Sequence, residues 1–170
     1  MRRLVVAFAL LWAPEAGFGA GPQETWRVVG VTDGDSITCL TRDKRQKKVR
    51  LDAIDAPERG QPFANKAKQA LSDMVFGKDV DVEISGEDKY DRTIGRVTLD
   101  GRDVNEEMVA RGMAWQYVKY DTSRALREAE QSARAAKLGL WADPHAMPPW
   151  EWRKLDKDER ARRRSISPVK

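Results

Sequence analysis

The order of strand-like and helix-like segments constrains the fold of this 170-residue chain more than any other feature. Apolar and polar residues alternate in five short segments, which predicts strands with one buried face. Turn signals such as Asp33-Gly34 and Asp100-Gly101 separate some of these strands. The strands are predicted at residues 26–31, 36–41, 47–54, 79–84 and 94–99.

Three helices are predicted beside these strands. The first lies between the third and fourth strands, and the second starts at Asp103, which is spaced as a capping box with Glu106. The third spans residues 123–138 and stops at Gly139. The first carries apolar residues at helical spacing: Phe63, Ala67, Ala70, Leu71 and Met74. This order predicts a mainly β domain with α-helices, a five-stranded OB-fold barrel with three packed helices, over residues 20–150.

The chain has one cysteine, Cys39, and one histidine, His145. A single cysteine excludes an intrachain disulfide, a cysteine-based zinc site and a CxxC redox pair. A single histidine excludes any mechanism or metal site that needs two imidazoles. The chemistry of this chain must therefore come from carboxylates, guanidinium groups and hydroxyls.

Residues 1–19 have the pattern of a secretory signal peptide. Arg2 and Arg3 precede an apolar stretch that is too short to cross a bilayer, since crossing takes about 20 residues. Gly17 and Gly19 offer small residues for cleavage, and no cysteine lies nearby to carry a lipid. We therefore predict an exported protein, periplasmic or secreted, with no membrane anchor after the leader is cleaved.

Residues 151–170 are set apart by their charge. They hold eight Lys and Arg and four Asp and Glu, a net charge of +4, whereas residues 20–150 have a net charge of −1. We predict a disordered basic tail, and an arm that binds polyanions without specificity is the functional alternative. On this interpretation, removing residues 153–170 leaves turnover of short substrates intact. The preceding Trp150 and Trp152 are predicted to fold back on the barrel.

Four short segments carry residues that suit phosphate chemistry. Asp33-Gly34-Asp35 is by itself typical of a hairpin turn, and residues 55–58 resemble a helix capping box. Gly60 and Pro62 interrupt any helix that begins there, which leaves the carboxylates of residues 55 and 58 on a loop. The other two segments are a strand arginine and a charged loop: Arg50 and residues 88–92. Taken singly, none of these segments identifies a function.

Together and in this order, the segments resemble the staphylococcal nuclease family. The matching run is Asp33-Gly34-Asp35, then residues 49–58 (VRLDAIDAPE), then residues 88–92 (DKYDR). Residues 104–106, 111–114 and 139–141 are also similar to that family, so the resemblance covers about residues 25–141. It implies an OB-fold barrel that uses calcium to hydrolyse phosphodiester bonds in DNA and RNA.

The resemblance also implies a role for each matching residue. Asp35 and Asp55 would bind calcium through their carboxylates, together with the backbone carbonyl of Ala56. Glu58 would be the general base, or the group that orients the attacking water. Two arginines would grip the scissile phosphate: Arg50 and Arg92. Further substrate contacts would come from four residues, the last two being alternatives for a tyrosine near the nucleotide: Lys89, Tyr90, Tyr117 and Tyr120.

These implied roles agree with the chemistry of the side chains. Calcium prefers oxygen ligands, and guanidinium forks are well suited to the charge that builds up on a phosphate under attack. Two positions depart from the family pattern. Ala56 replaces a residue with a hydroxyl, and Asp91 replaces a glycine beside the phosphate-binding Arg92. The second change puts a carboxylate next to an arginine where a glycine backbone angle is needed.

Two classes of function remain after this comparison of motifs. The first is a nuclease of low sequence specificity, acting on DNA and RNA as a monomer. The second is a non-catalytic OB-fold module that binds nucleic acid or protein, since such barrels also serve that purpose. A degenerate copy would lack some charged groups, whereas all five charged positions of the motif set are present in this chain. The sequence therefore favours the enzyme.

Overall fold

A computed structural model describes residues 22–119 and 122–167. The leader predicted at residues 1–19 and the candidate substrate contact Tyr120 lie outside the described residues. The elements follow one another in this order: β1 (Gln23–Asp33), β2 (Ser36–Leu40), β3 (Gln46–Leu51), β4 (Ile54–Asp55), α1 (Ala64–Val75), β5 (Asp79–Glu87), β6 (Thr93–Leu99), β7 (Arg102–Asp103), α2 (Val104–Ala110), β8 (Trp115–Gln116), α3 (Arg124–Ala135), a 3₁₀ helix (Gly139–Ala142), α4 (Pro149–Trp152) and α5 (Lys157–Ile166).

Five long strands form a closed barrel. Their order is β3-β2-β1-β5-β6, and β3 then pairs with β6 to close the sheet on itself. The closing pair is parallel, with Val49 opposite Thr93 and Arg50 opposite Ile94, while the other pairs of the barrel are antiparallel. The predicted five-stranded OB-fold barrel with packed helices is confirmed.

The barrel interior is filled by the apolar residues of the alternating strands. Val80 and Val82 of β5 are almost fully buried, whereas Asp79 is exposed and Asp81 half-buried, as the alternation predicts. Helices α1 and α2 cover the barrel with further buried side chains, among them Leu71 and Met108. The Asp103 carboxylate caps α2 by accepting a hydrogen bond from the Glu106 backbone amide at 3.0 Å.

The predicted strand 47–54 is interrupted near its end. Ala53 has a positive φ of 64°, and the chain then turns so that Ile54–Asp55 pairs with Trp115–Gln116 instead of continuing along β3. The Asp52 carboxylate supports this turn by accepting the Ala53 amide at 2.7 Å. A continuous strand would hold residues 50 and 55 about 16 Å apart. The interruption allows Asp55 to return to Arg50.

The prediction of a disordered tail from residue 151 differs from the structure, which has helices at Pro149–Trp152 and Lys157–Ile166. The second of these, α5, begins with a capping box between Asp156 and Glu159. Acidic residues occupy its first turn and Arg163 and Arg164 its last, so both ends complement the helix dipole. The charges that suggested a solvated tail are therefore arranged to stabilise a helix.

Cys39 should be unreactive in the folded protein. Its side chain is fully buried in β2, and burial raises the pKa of the thiol to about 12. Because the thiolate is the reactive form, we expect a thiol reagent such as Ellman's reagent to label the native protein negligibly and the denatured protein fully. Since the folded pKa exceeds the ordinary value of 9.0, stability should also fall as the pH rises from 9 towards 12. Rapid labelling of native protein would contradict this prediction.

Candidate active site

Three neighbouring strands bring the predicted site residues to one end of the barrel. Ser36 lies opposite Arg50 across β2 and β3, and Arg50 lies opposite Ile94 across β3 and β6. The turn before β2 supplies Asp35, and the loop before β6 supplies Arg92. The antiparallel and parallel pairings therefore assemble residues that are up to 57 positions apart in the sequence.

Arg50 joins the two predicted metal-binding carboxylates. Its Nη2 atom lies 3.3 Å from Oδ2 of Asp35 and 3.2 Å from Oδ1 of Asp55. Its Nη1 atom donates a hydrogen bond to the Leu51 carbonyl at 2.7 Å, which fixes the plane of the guanidinium. Asp35 and Asp55 are only 7% and 2% exposed. This buried cluster is the centre of the site.

The Asp35 carboxylate is held by groups on both sides. Oδ2 accepts the backbone amide of Ala56 at 2.8 Å, and Oδ1 accepts the Ser36 hydroxyl at 3.0 Å. Gly34 allows this approach, because a Cβ atom there would lie 2.7 Å from Cβ of Ala67 and 2.8 Å from Cβ of Ala56. The glycine of the Asp33-Gly34-Asp35 motif is thus needed for close packing.

Burial affects the pKa of two carboxyl groups in this region. Burial raises the pKa of Asp55, and the charge of Asp35 adds to the rise, although Arg153 and Arg50 oppose it. Burial and the nearby Asp35 carboxylate also raise the pKa of Asp33 to about 7. Burial is the largest cause of both shifts, so the low exposure of these carboxylates opposes their ionisation.

Arg92 is oriented by its own loop. Its Nε and Nη2 atoms lie 2.8 Å and 2.7 Å from Oδ2 of Asp88, and Nη1 donates weakly to the Ser36 hydroxyl at 3.4 Å. Asp91 adopts a positive φ of 56°, an angle that glycine adopts readily, at the position where the family pattern has glycine. Asp and Asn tolerate that angle better than most residues, which explains how the substitution is accommodated.

A cleft of about 800 Å³ is lined by Arg50 of the carboxylate cluster and by most of the other predicted residues, whereas the predicted metal-binding residues Asp35, Asp55 and Ala56 are not among its lining residues. Lys89 and Tyr90 stand on its rim, with the Lys89 Nζ atom 5.0 Å from the Tyr90 ring centre. Tyr117 also lines the cleft and stacks on Trp150, with ring centres 5.1 Å apart. The predicted residues in this wall are Arg50, Glu58, Lys89, Tyr90, Arg92 and Tyr117.

The structure adds one charged residue that the motifs do not include. The guanidinium of Arg153 contacts both Asp55 and Glu58 and lines the same cleft. Nothing in the local sequence marks Arg153, because it lies 95 positions from Glu58 in a segment expected to be disordered. The predicted packing of Trp150 and Trp152 against the barrel was the one sign that this segment lies near the site. Trp152 is 2% exposed in the structure.

The donor set has the oxygen chemistry that a hard divalent cation prefers. Two carboxylates, Asp35 and Asp55, converge on the Arg50 guanidinium, and both oxygens of Asp55 also contact Arg153. In the described parts of the chain, no three or more Asp, Glu, His or Cys side chains are arranged to hold a metal ion. The remaining ligands would therefore be backbone carbonyls, such as that of Ala56, and water, as calcium accepts.

Comparison with known proteins agrees with this geometry. The family described as "Staphylococcal nuclease homologue" matches residues 48–143. An uncharacterized endonuclease of Haemophilus influenzae is 43% identical over 79% of this chain and 76% of its own length. Protein ParB of Escherichia coli is 42% identical over 78% of this chain and 81% of its own length.

A micrococcal nuclease of Shigella flexneri is 40% identical over 77% of this chain and 81% of its own length. The matched residues 48–143 include the Arg50–Asp55 pair, Glu58 and the loop that carries Arg92. They also form much of the closed barrel that positions these groups. The chain therefore belongs to the staphylococcal nuclease family and is an enzyme of the nuclease class.

Proposed function

We propose that this protein is an exported, calcium-dependent nuclease that hydrolyses phosphodiester bonds in DNA and RNA with low sequence specificity. The observation that carries the proposal is the buried cluster of Asp35, Arg50 and Asp55 beside a cleft lined by a second arginine, Arg92. This arrangement provides anionic groups for a cation and guanidinium groups for a phosphate at the same place.

The two arginines would bind and stabilise the scissile phosphate. Arg50 and Arg92 both line the cleft, and each is held by a carboxylate or carbonyl that fixes its orientation. Negative charge grows on the phosphate oxygens as water attacks, and preorganised donors stabilise that charge without reorganising. Guanidinium groups stay charged throughout the working pH range, so this function does not depend on a proton.

Glu58 would accept a proton from the attacking water, or orient that water. Its side chain is 39% exposed on the loop that follows β4, where it lines the cleft. A base in this position typically contributes about 10²–10⁴ in rate. The single His145 is exposed and lines a separate pocket, so the scheme assigns proton transfer to a carboxylate and not to an imidazole.

Asp35, Asp55 and the Ala56 carbonyl would hold the calcium ion, as their chemistry allows. Calcium bound there supplies a Lewis acid for the phosphate oxygens. The chain's own part is to hold both carboxylates close together. Arg50 does this by contacting both, and the Ala56 amide fixes Asp35 through a direct hydrogen bond.

Digestion of nucleic acid is expected to depend on calcium. We expect purified protein to cleave both double-stranded DNA and RNA in calcium buffer and to stop when a chelator removes the ion, because the cluster needs a cation to receive a phosphate. Gel analysis of both substrates, with calcium restored after chelation, measures this. Binding of nucleic acid without any cleavage would support the alternative of a non-catalytic OB-fold module.

Export and a monomeric state are part of the same proposal. The basic and apolar pattern of residues 1–19 supports export to the periplasm or the medium. In the portion of the chain that the structure describes, no helix is long and apolar enough to span a membrane. Detection of a mature protein starting near residue 20 in the exported fraction would test the leader, and light scattering would test the monomer.

A further inference from the structure

Arg153 lies ten positions beyond the residues matched by the family, yet it contacts the centre of the site. Its Nη2 atom donates to Oδ2 of Asp55 at 2.7 Å, and its Nη1 atom lies 3.3 Å from Oδ1 of the same carboxylate. Nη1 also donates to Oε1 of Glu58 at 2.5 Å. One guanidinium therefore joins a predicted metal-binding carboxylate to the predicted general base.

Glu58 depends on this contact for its position. Within residues 22–119 and 122–167, Arg153 is the ion-pair partner of the Glu58 carboxylate, while the Glu58 backbone amide donates to the Gln61 side chain at 3.0 Å. A glutamate on an exposed loop has several rotamers of similar energy, and fixing one of them costs free energy. The Arg153 contact selects one of these rotamers.

The segment that carries Arg153 is firmly packed. Trp152 is 2% exposed, and the Trp150 ring stacks on Tyr117 with an interplanar angle of 7°. The Gln61 side chain donates to the Met147 carbonyl at 2.6 Å, and Arg160 of α5 donates to the Arg153 carbonyl at 3.1 Å. These contacts place the Arg153 backbone at the edge of the site without requiring a ligand.

Arg153 also adds a second positive charge to the cluster. The Arg50 guanidinium contacts Asp35 and Asp55, and the Arg153 guanidinium contacts Asp55 and Glu58. Asp55 is nearly inaccessible to water, and a buried charge that loses a partner is strongly destabilised. Arg153 compensates the Asp55–Glu58 side of the cluster, as Arg50 compensates the Asp35–Asp55 side.

We propose that Arg153 is a positioning residue of the active site, which holds Glu58 and Asp55 in the arrangement used for hydrolysis. This inference rests on the proposed nuclease function and makes the segment 148–153 part of the catalytic site. It revises the expectation that residues 153–170 can be removed without loss of turnover on short substrates. A truncation that tests only the basic helix must start after Arg153.

Steady-state kinetics on a short oligonucleotide tests this role. We expect Arg153→Ala to lower kcat on the order of tenfold to a hundredfold, because a displaced Glu58 no longer meets the attacking water, while KM changes by less than about threefold. Arg153→Lys should recover part of the loss. Lys154→Ala is the matched control, since Lys154 is the exposed neighbour that pairs with Glu151. Its kcat should equal that of the wild type.

Chemical rescue separates positioning from a structural role. Millimolar guanidinium should restore part of the kcat of Arg153→Ala, while sodium chloride at the same concentration should not. A kcat for Arg153→Ala within twofold of the wild type, or above it, would overturn the proposal. A loss that guanidinium does not rescue, accompanied by a lower melting temperature, would also overturn it, because it would mark a purely structural arginine.

A double-mutant cycle tests the contact without any use of activity. The urea midpoints of Arg153→Ala, Glu58→Gln and the double variant are compared with the wild type, and we expect the double variant to lose less than the sum of the single losses. Additive losses of stability would show that Arg153 and Glu58 do not interact, which would overturn the proposal. If the cycle shows the coupling but the wild-type protein cleaves no nucleic acid, the proposed function is overturned and with it the role of Arg153 in hydrolysis, whereas the contact itself stands.

Discussion

Replacement of Arg50 by alanine is expected to lower kcat by about 10³-fold, the upper end of the effect of one preorganised donor. The loss should be this large because Arg50 serves two purposes. It faces the cleft as a donor to the phosphate, and it holds the carboxylates of Asp35 and Asp55 within 3.3 Å and 3.2 Å of one atom. Single-turnover hydrolysis of a labelled oligonucleotide measures the effect.

Arg50→Lys and Arg96→Ala are the controls for this prediction. The lysine keeps the charge but cannot reach two carboxylates and a carbonyl at once, so we expect it to lose nearly as much activity as the alanine variant. Arg96 lies on the exposed face of β6, where it pairs with Asp103 away from the cleft, and its loss should leave kcat unchanged. Retention of a tenth of wild-type kcat by Arg50→Ala would contradict the assignment.

Replacement of Gly112 by alanine should lower the free energy of unfolding by about 3 kcal/mol or more. Gly112 has a positive φ of 65°, and a Cβ atom there would lie 2.3 Å from the Leu138 carbonyl oxygen. Backbone atoms cannot move aside as a flexible side chain can. The Gly112 carbonyl also accepts the Leu140 amide at 2.8 Å, so the change disturbs the connection that leads to Trp150 and Arg153. Urea denaturation followed by tryptophan fluorescence measures the loss.

Gly101→Ala is the matched control for Gly112→Ala. Gly101 has a similar positive φ of 76°, but no atom lies within 4 Å of the Cβ position. Gly101→Ala should therefore lower the free energy of unfolding by only about 1 kcal/mol, the cost of the positive φ for alanine. Equal losses for the two variants would show that the contact with Leu138 is not tight, and the explanation from close packing would fail.

The motif similarity of residues 111–114 and 139–141 has a structural explanation in the same contact. Gly112 and Gly139 lie against each other, since a Cβ on Gly139 would be 2.2 Å from the Gly112 carbonyl oxygen. The two segments are 27 positions apart and carry no group that takes part in the proposed chemistry. Their glycines allow α2 and the 3₁₀ helix to approach at backbone distance, which no larger residue permits.

The barrel could be predicted because its signals are local. A strand with one buried face alternates along its own length, as Val80 and Val82 do with their acidic neighbours, and a helix repeats its apolar residues every three or four positions. The exclusion of thiol and paired-histidine chemistry also followed from the single Cys39 and His145. These properties depend on residue type and nearest neighbours, so the amino-acid sequence contains them directly.

Helix α5 could not be predicted from these local signals. Its charge predicted a solvated, disordered chain; α5 contains no buried residue, but its charges cap the helix at Asp156 and Glu159 and stabilise its ends. Whether such a segment docks depends on apolar residues that lie far away in sequence, here the surface that receives Trp150 and Trp152. A charge count for residues 151–170 holds no information about that surface.

The amino-acid sequence alone identified the strand pattern, the family motifs and the residue types capable of phosphate chemistry. Tertiary packing brought those residues to bonding distance: the turn at Ala53 returned Asp55 to Arg50, and the parallel closure of the barrel placed Arg92 nearby. Tertiary packing also brought the Arg153 guanidinium into contact with the Glu58 carboxylate. Distances between residues far apart in the chain depend on the collective packing of the whole barrel, whereas residue types and their periodicity are set at each position.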